Sequence, residues 1–152
     1  MCIRDRSYPC GKDVVERVLP HRDPFLWVTR IVACEPGESV TAELDVDPAL
    51  PLFAGHFPGR PVLPGVVIME ALAQAASFCI LVARGAEGSV GFLTGIDGAK
   101  FRRQVLPGET LRLSARIAKS SSRMCVAEVE ASVDGQTCAS ATHKYVLAQA
   151  GE

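Results

Sequence analysis

The sequence predicts an α+β fold in which an antiparallel sheet wraps around one long buried helix. Three observations carry that prediction. Val66 to Arg84 is almost wholly apolar, rich in alanine and free of proline and glycine. The chain after it falls into runs that alternate apolar and polar residues, the period of a half-buried strand. Between two of those runs stands Asp134-Gly135, a strong signal for a tight hairpin. At 152 residues the chain is long enough for one sizeable core but not for two.

Taken in order, Gly11 to Leu19 reads as a short helix closed by Pro20. Phe25 to Cys34, rich in aromatic and β-branched residues, reads as a strand, and Pro36-Gly37 as a turn. Val40, Ala42, Leu44 and Val46 alternate with Thr41, Glu43, Asp45 and Asp47, which predicts a half-buried strand. Pro48 to Gly65 is too irregular for either period. At ~1.5 Å per residue the Val66–Arg84 helix is about 28 Å long. Being apolar nearly all round, it must be enclosed by protein or by membrane, and Glu70 and Gln74 within it favour protein. Gly85 supplies its stop. Leu111, Leu113, Ala115 and Ile117 then mark one strand, Ala127, Val129, Ala131 and Val133 a second, and Thr137 to Leu147 the last. Residues 11–152 read as a single domain. Residues 1–10 are set apart as a non-native or disordered extension, since Met1 to Arg6 fits no later pattern and resembles translated sequencing-adapter read-through.

Apolar residues make up 48% and charged residues 22% of the chain, with a net charge of −1. That is an ordinary soluble composition without the basic excess of a nucleic-acid binder. Six cysteines are scattered with no C-x-x-C pair and no Cys/His spacing suited to a metal, so they read as free thiols of a reducing compartment. No apolar signal-peptide core opens the chain and no wholly apolar run reaches ~18 residues, so the expectation is a cytoplasmic protein without membrane insertion.

The polar residues of the predicted core helix, Glu70, Gln74 and Ser77, are spaced i, i+4, i+7 and share one face. A carboxylate there is costly unless paired, which leaves both a structural and a catalytic reading open. His56 lies in the restricted segment FAGHFPGRP (53–61), just before the helix, whereas His21 and His143 read as structural or solvated. Pro64-Gly65 opens the helix, whose first free N–H groups and positive dipole end suit a carbonyl oxygen that gains negative charge. A base, an acid and an oxyanion donor within fifteen residues suit proton abstraction beside a carbonyl followed by loss of a hydroxyl. Spacing alone leaves the matter open.

Residues 53–76, FAGHFPGRPVLPGVVIMEALAQAA, resemble the signature of the β-hydroxyacyl-acyl-carrier-protein dehydratases of type II fatty acid synthesis, in the hot-dog superfamily. LPHRDPFLWVTRI (19–31), FLTGIDGAKFRRQVLPGETL (92–111) and VDG (133–135) extend the resemblance to roughly residues 11–147. It implies a hot-dog fold with five to seven strands and a hydro-lyase that turns a (3R)-hydroxyacyl chain on acyl carrier protein into the trans-2-enoyl thioester and water. By resemblance His56 is the catalytic histidine, Glu70 the catalytic acid, the Gly65 N–H the donor to the thioester carbonyl, and Gln74 the supporting glutamine of an E-x-x-x-Q helix. Glutamate rather than aspartate at position 70 favours simple dehydration over dehydration with isomerisation. Thr29, Gly91 and the run Ser140 to His143 depart from the family's pattern.

The resemblance also implies a homodimer with a continuous sheet, sites shared between protomers, and often a hexamer of three dimers. No metal or redox cofactor is expected. Lys100, Arg102 and Arg103 form the densest basic cluster and suggest a landing patch for acyl carrier protein, set against the plainer reading of a solvated strand edge. If all three lie in a strand, Lys100 and Arg102 face one way and Arg103 the other. A dehydratase of specialised lipid or polyketide synthesis, an acyl thioesterase and a non-catalytic carrier-binding subunit remain as alternatives.

Overall fold

The computed structural model describes residues 7–86 and 89–148. Helix α1 (Lys12–Val18) is followed by strands β1 (Arg30–Glu35) and β2 (Ser39–Asp45), a 3-10 turn (Pro51–Ala54) and helix α2 (Gly65–Arg84). Strands β3 (Val90–Phe101), β4 (Thr110–Ser120), β5 (Met124–Val133) and β6 (Gln136–Ala148) complete the chain. The six strands form one antiparallel sheet in the order β1-β2-β4-β5-β6-β3, which leaves β1 and β3 as its edges. This is the hot-dog arrangement, with α2 lying against β2, β4 and β5.

Alternation in the sequence becomes the two faces of the sheet. Val40, Ala42 and Leu44 of β2, Leu111, Leu113 and Ala115 of β4, and Ala127, Val129, Ala131 and Val133 of β5 are all buried, while Glu128 and Glu130 are exposed. Small side chains on α2, among them Ala71, Ala75 and Ala76, are fully buried, which lets the helix lie close to its surroundings. By length and composition α2 could cross a membrane, with a mean hydropathy of 2.1 over its most apolar window, yet 78% of that window is buried inside the fold. Gly85 ends it in the left-handed region at φ 61°. Asp134 and Gly135 both have positive φ, 49° and 78°, as a tight two-residue hairpin requires.

Three boundaries differ from the expectations. The strand predicted over Phe25 to Cys34 begins only at Arg30. Upstream of it the backbone bonds to a helix side chain: the Trp27 N–H donates to Gln74 Oε1 and the Phe25 carbonyl accepts from Gln74 Nε2, each at 2.9 Å. β3 ends at Phe101, so Arg102 and Arg103 lie past the strand and its face alternation does not extend to them. Finally, packing starts before residue 11. Cys10 exchanges two backbone hydrogen bonds with Ile31, at 2.9 and 3.0 Å, and Tyr8 lies against the core. Residues 1–6 lie outside the described residues.

Candidate active site

His56 follows the 3-10 turn and is held at three points. Its N–H donates to the Leu52 carbonyl (3.0 Å), its carbonyl accepts from the Val62 N–H (3.0 Å), and its ring Nδ1 lies 2.8 Å from the Val62 carbonyl oxygen. A carbonyl only accepts, so the hydrogen sits on Nδ1 and Nε2 keeps the lone pair that can take a proton. The ring stacks on Phe57, with centroids 4.0 Å apart.

Gly65 is the first residue of α2, so its N–H has no acceptor within the helix. Phe101 packs against it so closely that a Cβ there would stand 2.8 Å from the aromatic ring, and only glycine fits without a shift. His56, Gly65, Ile68, Phe101 and Arg102 line one cleft of about 430 Å³. A bare imidazole nitrogen, the positive end of a helix and apolar walls therefore share a single space.

Glu70 belongs to a different space. Five residues along a helix amount to roughly 7.5 Å of rise and a turn of about 140° in direction, so its carboxylate leaves α2 on another face than Gly65. Its Oε1 accepts from Gln74 Nε2 at 3.1 Å and lies 3.6 Å from His21 Nε2, with 25% of the side chain exposed. Gln74 is buried and bonds the backbone of Phe25 and Trp27 as well, so it couples the carboxylate to that segment. Among the described residues no hydrogen bond or ion pair joins His56 to Glu70. One chain thus holds the two groups apart, a histidine ring beside the first N–H of α2 and a supported carboxylate.

The description of the FabA-like domain matches residues 19–142, most of the chain. The chain belongs to the FabA-like family. Curated relatives named 3-hydroxyacyl-[acyl-carrier-protein] dehydratase FabZ include one from Ruminiclostridium cellulolyticum, 43% identical over 136 residues, 90% of this chain and 96% of that one. Another, from Anaeromyxobacter sp., is 45% identical over 140 residues, 90% of this chain and 89% of its own length. The dehydratase heterocomplex ApeI:P from Xenorhabdus doucetiae has the same fold, with a TM-score of 0.78 at 20% identity, covering 97% of this chain and 95% of that one. A hypothetical thioesterase with coenzyme A from Streptococcus pneumoniae TIGR4 also superposes, with a TM-score of 0.61 at 12% identity over 78% of this chain and 84% of that one. Likeness at these low identities shows the fold and does not assign the reaction.

Of the other two histidines of this FabA-like chain, His143 fits the structural reading, whereas His21 makes a contact that the sequence does not foretell. His21 approaches Glu70, although the two stand 49 positions apart and no local pattern links them. His143 is fully buried, within reach of the Glu70 charge. Its Nδ1 meets the Tyr145 hydroxyl at 2.8 Å and its Nε2 meets Met69 Sδ at 3.4 Å. Burial pushes the His143 pKa down to about 4, against a smaller upward pull from the Glu70 charge, so the ring is neutral near pH 7. A neutral ring that accepts from the Tyr145 O–H at Nδ1 carries its hydrogen on Nε2, directed at the Met69 sulfur. The same burial raises the Tyr145 pKa well above the usual phenol value.

The basic cluster divides as well. Arg103 is committed within its own chain: its guanidinium donates to both carboxylate oxygens of Glu109 (3.1 and 2.6 Å) and to Gln136 (3.0 Å). That pairing holds the Glu109 carboxyl below the usual range and raises the Arg103 guanidinium. Lys100 and Arg102 are exposed, and Arg102 lines the His56 cleft. Among the described residues no group of three or more His, Cys, Asp or Glu is placed to hold a metal.

Proposed function

We propose that the protein is a (3R)-hydroxyacyl-[acyl-carrier-protein] dehydratase of fatty acid elongation, and that His56 and Glu70 perform the elimination from opposite protomers of a dimer. The observation that carries this reading is the pairing of a bare His56 Nε2 with the Gly65 N–H in one cleft, while Glu70 stands supported but apart. The names and identity levels of the relatives support the same chemistry.

The thioester carbonyl accepts from the Gly65 N–H, where the helix dipole favours the negative charge that develops on its oxygen. His56 Nε2 takes the proton from the carbon beside that carbonyl. The electron pair left behind forms the new C=C bond as the C–O bond to the 3-hydroxyl breaks, and Glu70 of the other protomer protonates the departing oxygen. The products are the trans-2-enoyl thioester and water. In a second version His56 moves both protons and Glu70 orients a water. Neither version calls on a cofactor.

Dimerisation is supported by the free edge of the twelve-residue strand β3, which exposes Phe92 and Ile96. Val66, next to Gly65 in the chain, is 78% exposed, an apolar side chain that a partner would cover. Lys100 and Arg102 are the landing patch in this reading, and a cytoplasmic setting, shared with the carrier, is part of the same proposal. Incubation with a panel of 3-hydroxyacyl carriers tests the reaction. Loss of 18 mass units from the acyl chain is expected, whereas free carrier thiol with an intact hydroxyacid would mean hydrolysis and overturn the reading.

A further inference from the structure

We propose that His21 is a positioning residue for Glu70: with Gln74 it occupies Oε1 and so confines the transferable proton to Oε2. The proposal rests on the reading of Glu70 as the acid.

Two nitrogens converge on one oxygen of Glu70, Gln74 Nε2 at 3.1 Å from within α2 and His21 Nε2 at 3.6 Å from the segment between α1 and β1. A carboxylate only accepts, so the hydrogen of the His21 ring belongs on Nε2. At 3.6 Å the approach is just beyond a hydrogen bond, and a shift of a few tenths of an ångström makes it one. A single donor leaves the carboxyl free to swing about its last torsion, which is broad for a terminal sp³–sp² bond. A second donor from another element removes that freedom. With donors on Oε1, the neutral acid can hold its proton only on Oε2, and that oxygen then faces the substrate hydroxyl.

His21 is itself built in. The guanidinium of Arg22 donates to the carbonyls of Leu19 (2.9 Å) and His21 (2.7 Å), stapling the turn that follows α1. The His21 Nδ1 atom is buried with no hydrogen-bond partner, so the ring gains nothing from that edge and its Nε2 edge is the one in use. The other titratable groups near Glu70, His143 and Tyr145 on β6, are occupied with each other and with Met69. Gln74 has both amide hydrogens engaged, on the Phe25 carbonyl and on Glu70. His21 is thus a second polar group that reaches the carboxylate, from outside α2.

The test compares His21→Phe, which keeps an aromatic ring without a donor, with His21→Gln, which restores one. Turnover of a 3-hydroxyacyl pantetheine thioester is measured in both, in Glu70→Gln and in the double variant. His21→Phe is expected to lower kcat about tenfold, the scale of one hydrogen bond to a charged group, with KM changed less than about twofold. His21→Gln should recover most of that loss. In the Glu70→Gln background His21→Phe should cost less than about twofold more, because it acts through the carboxylate. Unchanged kcat in His21→Phe, a loss confined to KM, or an equal loss in the Glu70→Gln background would overturn the proposal while leaving Glu70 as the acid. If Glu70→Gln itself turns over normally, the assignment of the acid falls and this proposal with it. Should His21→Phe fail to fold, a His21→Gln protein that folds with full kcat still supports the donor role, and a folded one with lowered kcat overturns it.

Discussion

The Val62 carbonyl selects the tautomer of His56, and through it the atom that can take a proton. Since a positioned base or acid contributes about 10²–10⁴-fold, His56→Ala and Glu70→Gln should each cut kcat by at least about a hundredfold. Melting temperatures should stay near that of the parent, because both side chains are partly exposed. Near-normal turnover in either variant would remove that residue from the mechanism. His143 behaves differently, as a stability residue. Its pKa of about 4 lies below the 6.5 of an ordinary imidazole, so between those pH values the unfolded chain binds more protons than the folded one. Stability must therefore fall as pH drops from about 6.5 towards 4, by an amount on the order of 3 kcal/mol at most. Denaturant melts of the parent and of His143→Leu across that range check the sign: the parent should lose more stability than the variant. Much of the site was legible at this scale, because His56, Gly65, Glu70 and Gln74 fall within a compact motif. His21 was not, since its meeting with Glu70 is made by the fold. His143 and Tyr145 occupy inward positions of β6, where alternation predicts burial and says nothing of a polar pair.

Among the elements, α2 was the most legible, with its start moved by one residue to Gly65. Its length, its apolar surface and the glycine after it are local properties of the chain. Strands β2, β4 and β5 were legible for the same reason. The segment Phe25 to Trp27 has strand-like composition, yet Gln74 on a helix takes its Trp27 N–H and its Phe25 carbonyl, and residue preferences do not reveal that choice. The start of α2 carries a sharper prediction. Gly65→Ala would place a methyl group 2.8 Å from the Phe101 ring, beside the proposed oxyanion donor. The Phe101 ring is 55% exposed and can swing aside, so the melting temperature should change little while kcat falls with the disturbed cleft. An alanine variant with parental turnover would show that the helix start tolerates displacement.

For the whole molecule, Arg102 is exposed and lines the His56 cleft, Lys100 is exposed two residues before it, and the proposed landing patch rests on this pair. Reversing both to Glu should raise KM for carrier-bound substrate several-fold, most clearly at low salt, since screening acts over about 10 Å at 0.1 M. Turnover of a pantetheine thioester, which lacks the carrier surface, should hardly change, and equal losses on both substrates would refute the landing patch. Arg103→Glu belongs to another class, because it would set two carboxylates against each other at Glu109 and act on stability. The expectation of a dimer came only from resemblance to a family. Periodicity identifies strands, but which strand ends on an edge follows from the order β1-β2-β4-β5-β6-β3.

In the proposed mechanism His56 of one chain works with Glu70 of another, and mixing subunits of two inactive variants tests that sharing. His56→Ala and Glu70→Gln proteins, each inactive alone, are mixed, allowed to exchange subunits and assayed on a 3-hydroxyacyl thioester. Mixed dimers then contain one site with both parental residues, and partial activity should return to at most about a quarter of the parental level, because random exchange makes half of the dimers mixed and each holds one good site of two. No recovery, with exchange confirmed by mass, would place the pair within a single chain and contradict the account.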